Sequence, residues 1–303
     1  MMITHVDRYV LLRQALGFKL VQVTRLLRAF ASFVDEREET HISVSSAVAW
    51  AAGAPTPGTR HVRLQSVVQL ARFLRTEDPL HEVPPLALFP AVTVRPLPYI
   101  YAPEEVERLV RAAGHLHGTY PLRRETYATL FGLIAATGMR VSEALDLRLA
   151  DVQPGGRLLI REAKLGKSRF VPLHPSTADA LNCYLNKRCK LPANDDHLFL
   201  SPGGRRISRS MVNYMFRRVA KLAKVASGRK RPCRIHDLRH TFATRSLEAC
   251  STRREDVGRH FVALSTYLGH SDIKHTYWYL EATPELMADI ATAAEALVTG
   301  GTP

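Results

Sequence analysis

The chain has 303 residues, with 42 Lys plus Arg against 28 Asp plus Glu and a formal net charge of +14. Its 46% hydrophobic content excludes wholesale disorder, and no apolar run approaches the roughly 18–20 residues that a membrane span needs. So basic a chain points to a polyanionic partner, nucleic acid first among them. Cys183, Cys189, Cys233 and Cys250 show no CxxC pairing. They fit a reduced protein better than a disulfide framework or a zinc site. The first residues, MMITHVDRYVLLRQALGF, show no secretory signal, so a cytoplasmic location is expected.

In chain order, residues 6–38 carry apolar positions at three- and four-residue steps, which predicts helix with an interruption at Gly17. SVSSAVAWAAG predicts a shorter helix, capped by Ser and stopped at Gly53. PTPG leads into a third helix, RHVRLQSVVQLARFLRTED, whose apolar stripe is flanked by Arg60, Arg63, Arg72 and Arg75. Residues 1–90 thus form an all-helical domain. Pro79, Pro84, Pro85, Pro90, Pro96 and Pro98 follow closely, and residues 91–101 read as an extended linker.

A second domain runs over 102–303. APEEVERLVRAAG predicts a helix with Pro103 in its first turn and Gly114 at its end. ETYATLFGLIAATGM is an apolar helix ended by Gly138, and RVSEALDL a short one. RLLIREAKLGKSRFVPL alternates as two strands around an LGKS turn and is the main β signal. Helices follow at STADALNCYLNKR, RSMVNYMFRRVAKLAKVA, RIHDLRHTFATRSLEA and around EDVGRHFVALSTYLGH, then at HTYWYLEA and, from about residue 284, at PELMADIATAAEALV. The predicted class is mainly α with a small antiparallel β-sheet.

The charge is unevenly placed. Residues 1–90 hold 10 Lys/Arg and 8 Asp/Glu, whereas residues 201–240 hold 12 Lys/Arg and one acid, Asp237. Arg205, Arg206, Arg217, Arg218, Lys221 and Lys224 come as spaced cations within patterned sequence, which suits phosphates along a duplex. Arginine outnumbers lysine 33 to 9, and its planar fork matches phosphate oxygens. In RIHDLRHTFAT, His236 and Arg239 are three residues apart and share a helix face, a pairing of proton carrier and fixed charge that suits a phosphate. In LGHSDIKHTYWYL, Gly269 reads as a helix-ending residue, and His270 precedes Tyr279 by nine positions, with Tyr277 as a rival.

Taken together, four segments resemble tyrosine recombinases of the phage-integrase and Xer type, in the family's order and rough spacing. ATGMRVSEALDLRLADV resembles its first arginine motif and IREAKLGKSRFVPL its β-hairpin. HDLRHTFAT resembles its HxxR box and LGHSDIKHTYWYL its last box. The resemblance covers about residues 100–285 and implies catalytic Arg140, Lys164, His236, Arg239, His270 and Tyr279, with Lys167 a competitor for the lysine. The helical N-terminal unit is loosely similar to the family's core-binding domain, which with an α+β catalytic domain would clamp duplex DNA. The stretch from His240 to Leu268 is longer than in compact members, and its polar piece around Ser251–Arg259 reads as a surface loop.

The resemblance implies attack by Tyr279 on a DNA phosphodiester, leaving a 3′-phosphotyrosyl link and a free 5′ hydroxyl. Arg140 and Arg239 would hold the extra negative charge of the transition state, with His270 adding a hydrogen bond. His236 would take the tyrosine proton, since a phenol with a reference pKa near 10 is a poor nucleophile. Lys164 would protonate the leaving oxygen. Glu143, one turn after Arg140, reads as a group that orients an arginine. No metal or ATP is implied, and the sequence shows no Walker loop and no HExxH.

The implied partners are a specific double-stranded DNA site and a homo-tetramer assembled on it, possibly with related recombinase subunits, and no membrane. A nucleoid-associated cytoplasmic protein acting in integration or excision of a mobile element follows. The tail from about 284 is expected to pack on its own domain or on a neighbouring subunit. Two rival functions stay open on the same fold: a metal-free tyrosine topoisomerase and a non-catalytic DNA-binding protein. Arg60 and Arg63, with the 201–240 cations, are the expected DNA contacts outside the catalytic set.

Overall fold

The computed structural model describes residues 1–91, 97–118, 120–161, 168–191, 195–226, 232–249 and 254–269, with 254–257 as backbone. The chain divides into two compact units, Met1–Pro96 and Leu97–Pro303.

The first unit is helical: α1 (Met2–Ala15), α2 (Val21–Asp35), α3 (Val44–Ala52) and α4 (Pro57–Leu74). Gly17 breaks the long periodic stretch into α1 and α2, with φ of +86°, and Leu20 follows at φ of 40°. An L-residue resists that region, so the break falls where glycine makes it cheap. Leu27, Phe30, Ala31 and Val34 form the buried stripe of α2 at helical spacing. They pack with Trp50 of α3 and with Leu64, Val67, Val68, Leu70, Ala71 and Leu74 of α4. Both later helices start on hydroxyl caps: Ser43 Oγ accepts from the Ser46 amide at 3.1 Å, and Thr56 Oγ1 from the Thr59 amide at 3.2 Å. Pro57 then occupies the first turn of α4, where a missing N–H costs nothing.

The second unit begins with α5 (Pro103–Gly114), whose Glu105 carboxylate accepts from the Ala102 amide at 3.1 Å. Then come α6 (Arg123–Thr137) and α7 (Val141–Asp146). A small sheet follows: β1 (Val152–Gln153), β2 (Arg157–Ile160) and β3 (Arg169–Pro172), antiparallel in that order. The two-residue β1 adds a third strand to the predicted pair. Leu158 pairs with Val171 and Ile160 with Arg169, so alternate residues of β2 and β3 face the core. Helices α8 (Pro175–Arg188), α9 (Arg209–Leu222), α10 (Ile235–Glu248) and α11 (Arg254–Leu268) complete the described fold.

The polar piece expected as a loop around Ser251–Arg259 is instead, from Arg254 onward, the first part of α11. Helix α6 is apolar on several sides, with Leu130, Phe131, Leu133 and Ile134 buried, and it lies against α5, α7, α8 and α10. That central position fixes where its C-terminus delivers Gly138 and Arg140. Among the described residues no helix is long and apolar enough to cross a membrane. Residues 165–167 of the LGKS turn, residues 92–96 of the linker, HTYWYLEA and the tail from 284 lie outside the described residues.

Candidate active site

The site is built where α6 turns into α7. Gly138 ends α6 with φ of +61°, and a Cβ there would lie 2.4 Å from the Phe242 ring of α10. Glycine is therefore required twice, by backbone and by packing. The turn makes Arg140 the N-cap of α7. Its backbone amide donates to Glu143 Oε2 at 2.9 Å, and its Nη1 donates to Glu143 Oε1 at 2.7 Å. Glu143, 8% exposed, orients Arg140 as expected. It also takes a second arginine that sequence reading did not single out. Arg169 of β3 donates from Nη1 and Nη2 to Glu143 Oε1 and Oε2, at 3.1 and 2.9 Å. Burial pushes the Glu143 carboxyl up, but the Arg169 fork and then the Arg140 contacts outweigh it and hold it at about 2.

Three arginines from three elements meet the C-terminus of α11. Arg169 Nε donates to the Tyr267 carbonyl at 2.8 Å, Arg239 Nη2 to the Leu268 carbonyl at 2.7 Å, and Arg140 Nη2 to the Gly269 carbonyl at 2.9 Å. Helix ends leave carbonyls unpaired and carry partial negative charge, so cations belong there. Arg239 also donates from Nη1 to the Gly138 carbonyl at 2.7 Å and is 1% exposed. A guanidinium so deep is tolerated because backbone oxygens receive it. Gly269 has φ of +64°, and a Cβ there would sit 2.9 Å from Arg169 Nη1.

His236 lies in the first turn of α10, three residues before Arg239, with its ring 4.6 Å from that of His240. It is exposed at the surface, yet the protein packed beneath it, then the Arg239 charge, push its imidazole down to about 4. It is thus neutral near pH 7 and keeps a nitrogen lone pair for a proton. An arriving phosphate, being negative, would raise its proton affinity. The segment is held in place from behind: the Tyr101 amide donates to Thr241 Oγ1 at 2.9 Å, and Tyr101 Oη donates to the Arg234 carbonyl at 3.1 Å.

The structure therefore brings Arg140, His236 and Arg239 to one junction, between the α6–α7 turn, the start of α10 and the end of α11. Lys164 and its competitor Lys167, His270, Tyr277 and Tyr279 lie outside the described residues. In the chain, His270 directly follows the clamped Gly269. Arg169 carried one readable signal. Strand alternation puts it on the face of Val171, where a cation among apolar residues needs a partner.

The wider basic set divides. Arg205, Arg217, Arg218, Lys221 and Lys224 are exposed. Arg218 and Lys224 share a cleft with Arg108, Arg111 and His115 of the α5 region. Arg206 instead donates to the Leu145 carbonyl at 3.1 Å and pairs with Asp146 at 2.6 Å. In the first unit, Arg60 donates to the Ala54 carbonyl at 2.9 Å and Arg63 to the Trp50 carbonyl at 3.0 Å, so both contribute to holding α3 against α4.

The chain belongs to the phage integrase family, whose sequence profile matches residues 101–285. It is 38% identical over 295 residues to a putative integrase/recombinase, y4rB, of Sinorhizobium fredii, covering 94% of each chain. It is 33% identical to the tyrosine recombinase XerD of Caulobacter vibrioides over 246 residues, 78% of this chain and 74% of that one. Among solved structures, the fold is similar to that of the Tn1549 transposon integrase in complex with transposon right-end DNA. That match has a TM-score of 0.67 and 18% identity, and covers 97% of this chain and 100% of that one. It is also similar to that of the XerH site-specific recombinase bound to palindromic difH substrate in a post-cleavage complex, with a TM-score of 0.64 and 21% identity, covering 89% of this chain and 78% of that one. The fold is that of a tyrosine recombinase, mostly helical with one three-stranded antiparallel sheet.

Proposed function

We propose that this protein is a site-specific DNA recombinase that cuts and rejoins strands through Tyr279. The observation that carries the reading is the convergence of Arg140 and Arg239 on one helix end, with a neutral His236 on the same α10 face as Arg239. In the reaction, Tyr279 Oη bonds to phosphorus as the bond to the 5′ oxygen breaks. His236 takes the phenol proton and Lys164 supplies one to the departing oxygen. Arg140 and Arg239, which keep their charge at any physiological pH, face the charge that builds on the non-bridging oxygens, and His270 adds a donor. The phosphoester is exchanged rather than hydrolysed, so rejoining reverses the same step.

The helical unit over 1–90 and the catalytic unit over 102–303, joined by the 91–101 linker, are assigned to two faces of one DNA site. The exposed cations of α9 are assigned to flanking phosphates. A tetramer on two sites, a mobile-element substrate and a nucleoid-associated location complete the reading. The mobile-element substrate is supported by the relatives' names, and the tetramer by a lambda integrase tetramer on a Holliday junction among proteins of similar fold.

The test is a pool of nicked duplexes tiling the DNA that flanks the protein's own gene. The wild type is expected to form a covalent protein–DNA adduct and Tyr279→Phe none. An adduct from Tyr279→Phe moves the nucleophile to Tyr277. Binding without any wild-type adduct rejects catalysis, and relaxation of supercoiled DNA without pairing of two sites favours a topoisomerase.

A further inference from the structure

Arg169 is not among the residues that the reaction above uses, yet it ties three parts of the site together. Three of its nitrogens are engaged: Nη1 and Nη2 on Glu143, and Nε on the Tyr267 carbonyl. Its side chain is 14% exposed and thus largely withdrawn from solvent, as is that of Glu143. It arises from β3, far in sequence from both partners, and so links the sheet, the α6–α7 turn and the end of α11. The approach is close enough that a Cβ on Gly269 would lie 2.9 Å from Arg169 Nη1, so the arginine would have to shift.

The charge count shows what this link does. Without Arg169, Glu143 would face Arg140 alone, and a buried one-to-one ion pair is neutral. With Arg169 sharing the carboxylate, two cations meet one anion, and the cluster keeps a net charge of +1. The Glu143 carboxylate accepts two hydrogen bonds from each arginine. Arg140 is therefore oriented by Glu143 without being neutralised by it. A lysine at 169 would preserve the charge but place it as a point, without the fork.

We propose that Arg169 is a positioning residue for strand cleavage: by sharing Glu143 it sets the angle of Arg140 and leaves that arginine's charge uncompensated for the scissile phosphate. This rests on the recombinase reading above and adds to it a residue that acts through another.

The experiment compares single-turnover adduct formation at saturating nicked duplex, DNA affinity at fixed salt and thermal stability in four proteins. These are the wild type, Arg169→Met, Arg169→Lys and the double variant Arg169→Met/Glu143→Gln. Arg169→Met is expected to cleave about 100-fold more slowly, the scale on which a misplaced group loses rate. Its DNA affinity should stay within about threefold of wild type, since its phosphate-facing cations elsewhere are intact. Removing the Glu143 charge restores a net +1, so the double variant should regain about tenfold over Arg169→Met. Arg169→Lys, which keeps charge and loses the fork, should fall between. A merely structural Arg169 would make the double variant as slow as the single one or slower, and that result overturns the proposal. So does an Arg169→Met protein that cleaves at the wild-type rate. If Arg169→Met does not fold, the Lys variant decides: a wild-type rate overturns the proposal and an intermediate rate supports it. Absence of adduct from the wild type is a separate failure, that of the recombinase reading.

Discussion

Two groups of cations in one unit are built differently. At the end of α11, Arg140, Arg169 and Arg239 are partly or wholly buried, and each donates to a specific backbone oxygen or to Glu143. Along α9, Arg217, Arg218 and Lys221 are exposed. The first arrangement fixes direction: a guanidinium held by two or three hydrogen bonds is aimed before any ligand arrives. The second leaves long side chains in water, where they contribute affinity through released counterions and little geometry. Net charge alone conceals this difference, because both regions contribute cations to the same total.

Substitutions that separate the two regions should differ most at Arg140. Arg140→Ala removes a preorganised donor and is expected to slow cleavage by about 1000-fold, with DNA binding little changed, as read from adduct kinetics and a binding isotherm. Next in size is the scaffold of the aimed region. Gly138→Ala forces a Cβ onto Phe242 and an L-residue into positive φ, and should lower unfolding free energy by about 2–4 kcal/mol in a denaturant titration. On α9, Arg217→Ala, Arg218→Ala and Lys221→Ala together should weaken binding on every DNA sequence. The salt slope should fall by about one for each phosphate that the variant no longer neutralises.

Acid should weaken the aimed region in two windows. Glu143 titrates near 2 in the folded chain against 4.5 ordinarily, so its contribution is full above 4.5 and is lost as pH falls toward 2. His236 is lowered from 6.5 to about 4, so the folded state prefers it neutral. Its contribution is full above 6.5 and is lost as pH falls from there to 4. Thermal unfolding across pH should therefore show decline in both windows. Glu143→Gln should flatten the lower one and His236→Gln the upper. The smallest effect expected is from Arg63→Ala, about 0.5–1.5 kcal/mol for removing one hydrogen bond to the Trp50 carbonyl.

The elements of this fold are legible in the sequence because their signals are local. Ser43 as a cap, Pro103 at a first turn, and Gly17, Gly138 and Gly269 as breaks all act within a few residues of their own position, whereas α4 starts at Pro57, three residues before the predicted RHVRL stretch. The strands Arg157–Ile160 and Arg169–Pro172 show themselves by alternation, whereas Val152–Gln153 is too short to alternate. The start of α11 at Arg254 escapes such reading because its polar first turns look like a loop when taken without their neighbours. In the site, Arg140, His236 and Arg239 stand out by motif.

Their partners do not. Arg140 meets Gly269 across 129 positions and Arg169 meets Tyr267 across 98, and no periodicity records such contacts. Arg60 and Arg63 show the same limit from the other side. As cations beside a helix they read as DNA contacts, while the carbonyls of Ala54 and Trp50 that receive them are set by how α3 meets α4.

The most direct test of the division between aimed and unaimed charge is covalent adduct yield at saturating nicked duplex for three proteins. These are the wild type, Arg140→Ala, and the α9 triple variant. With binding saturated, the wild type and the α9 variant should reach the same yield at similar rates, and Arg140→Ala should give almost none. An α9 variant that fails to cleave when fully bound, or an Arg140→Ala protein that cleaves like wild type, would contradict the account.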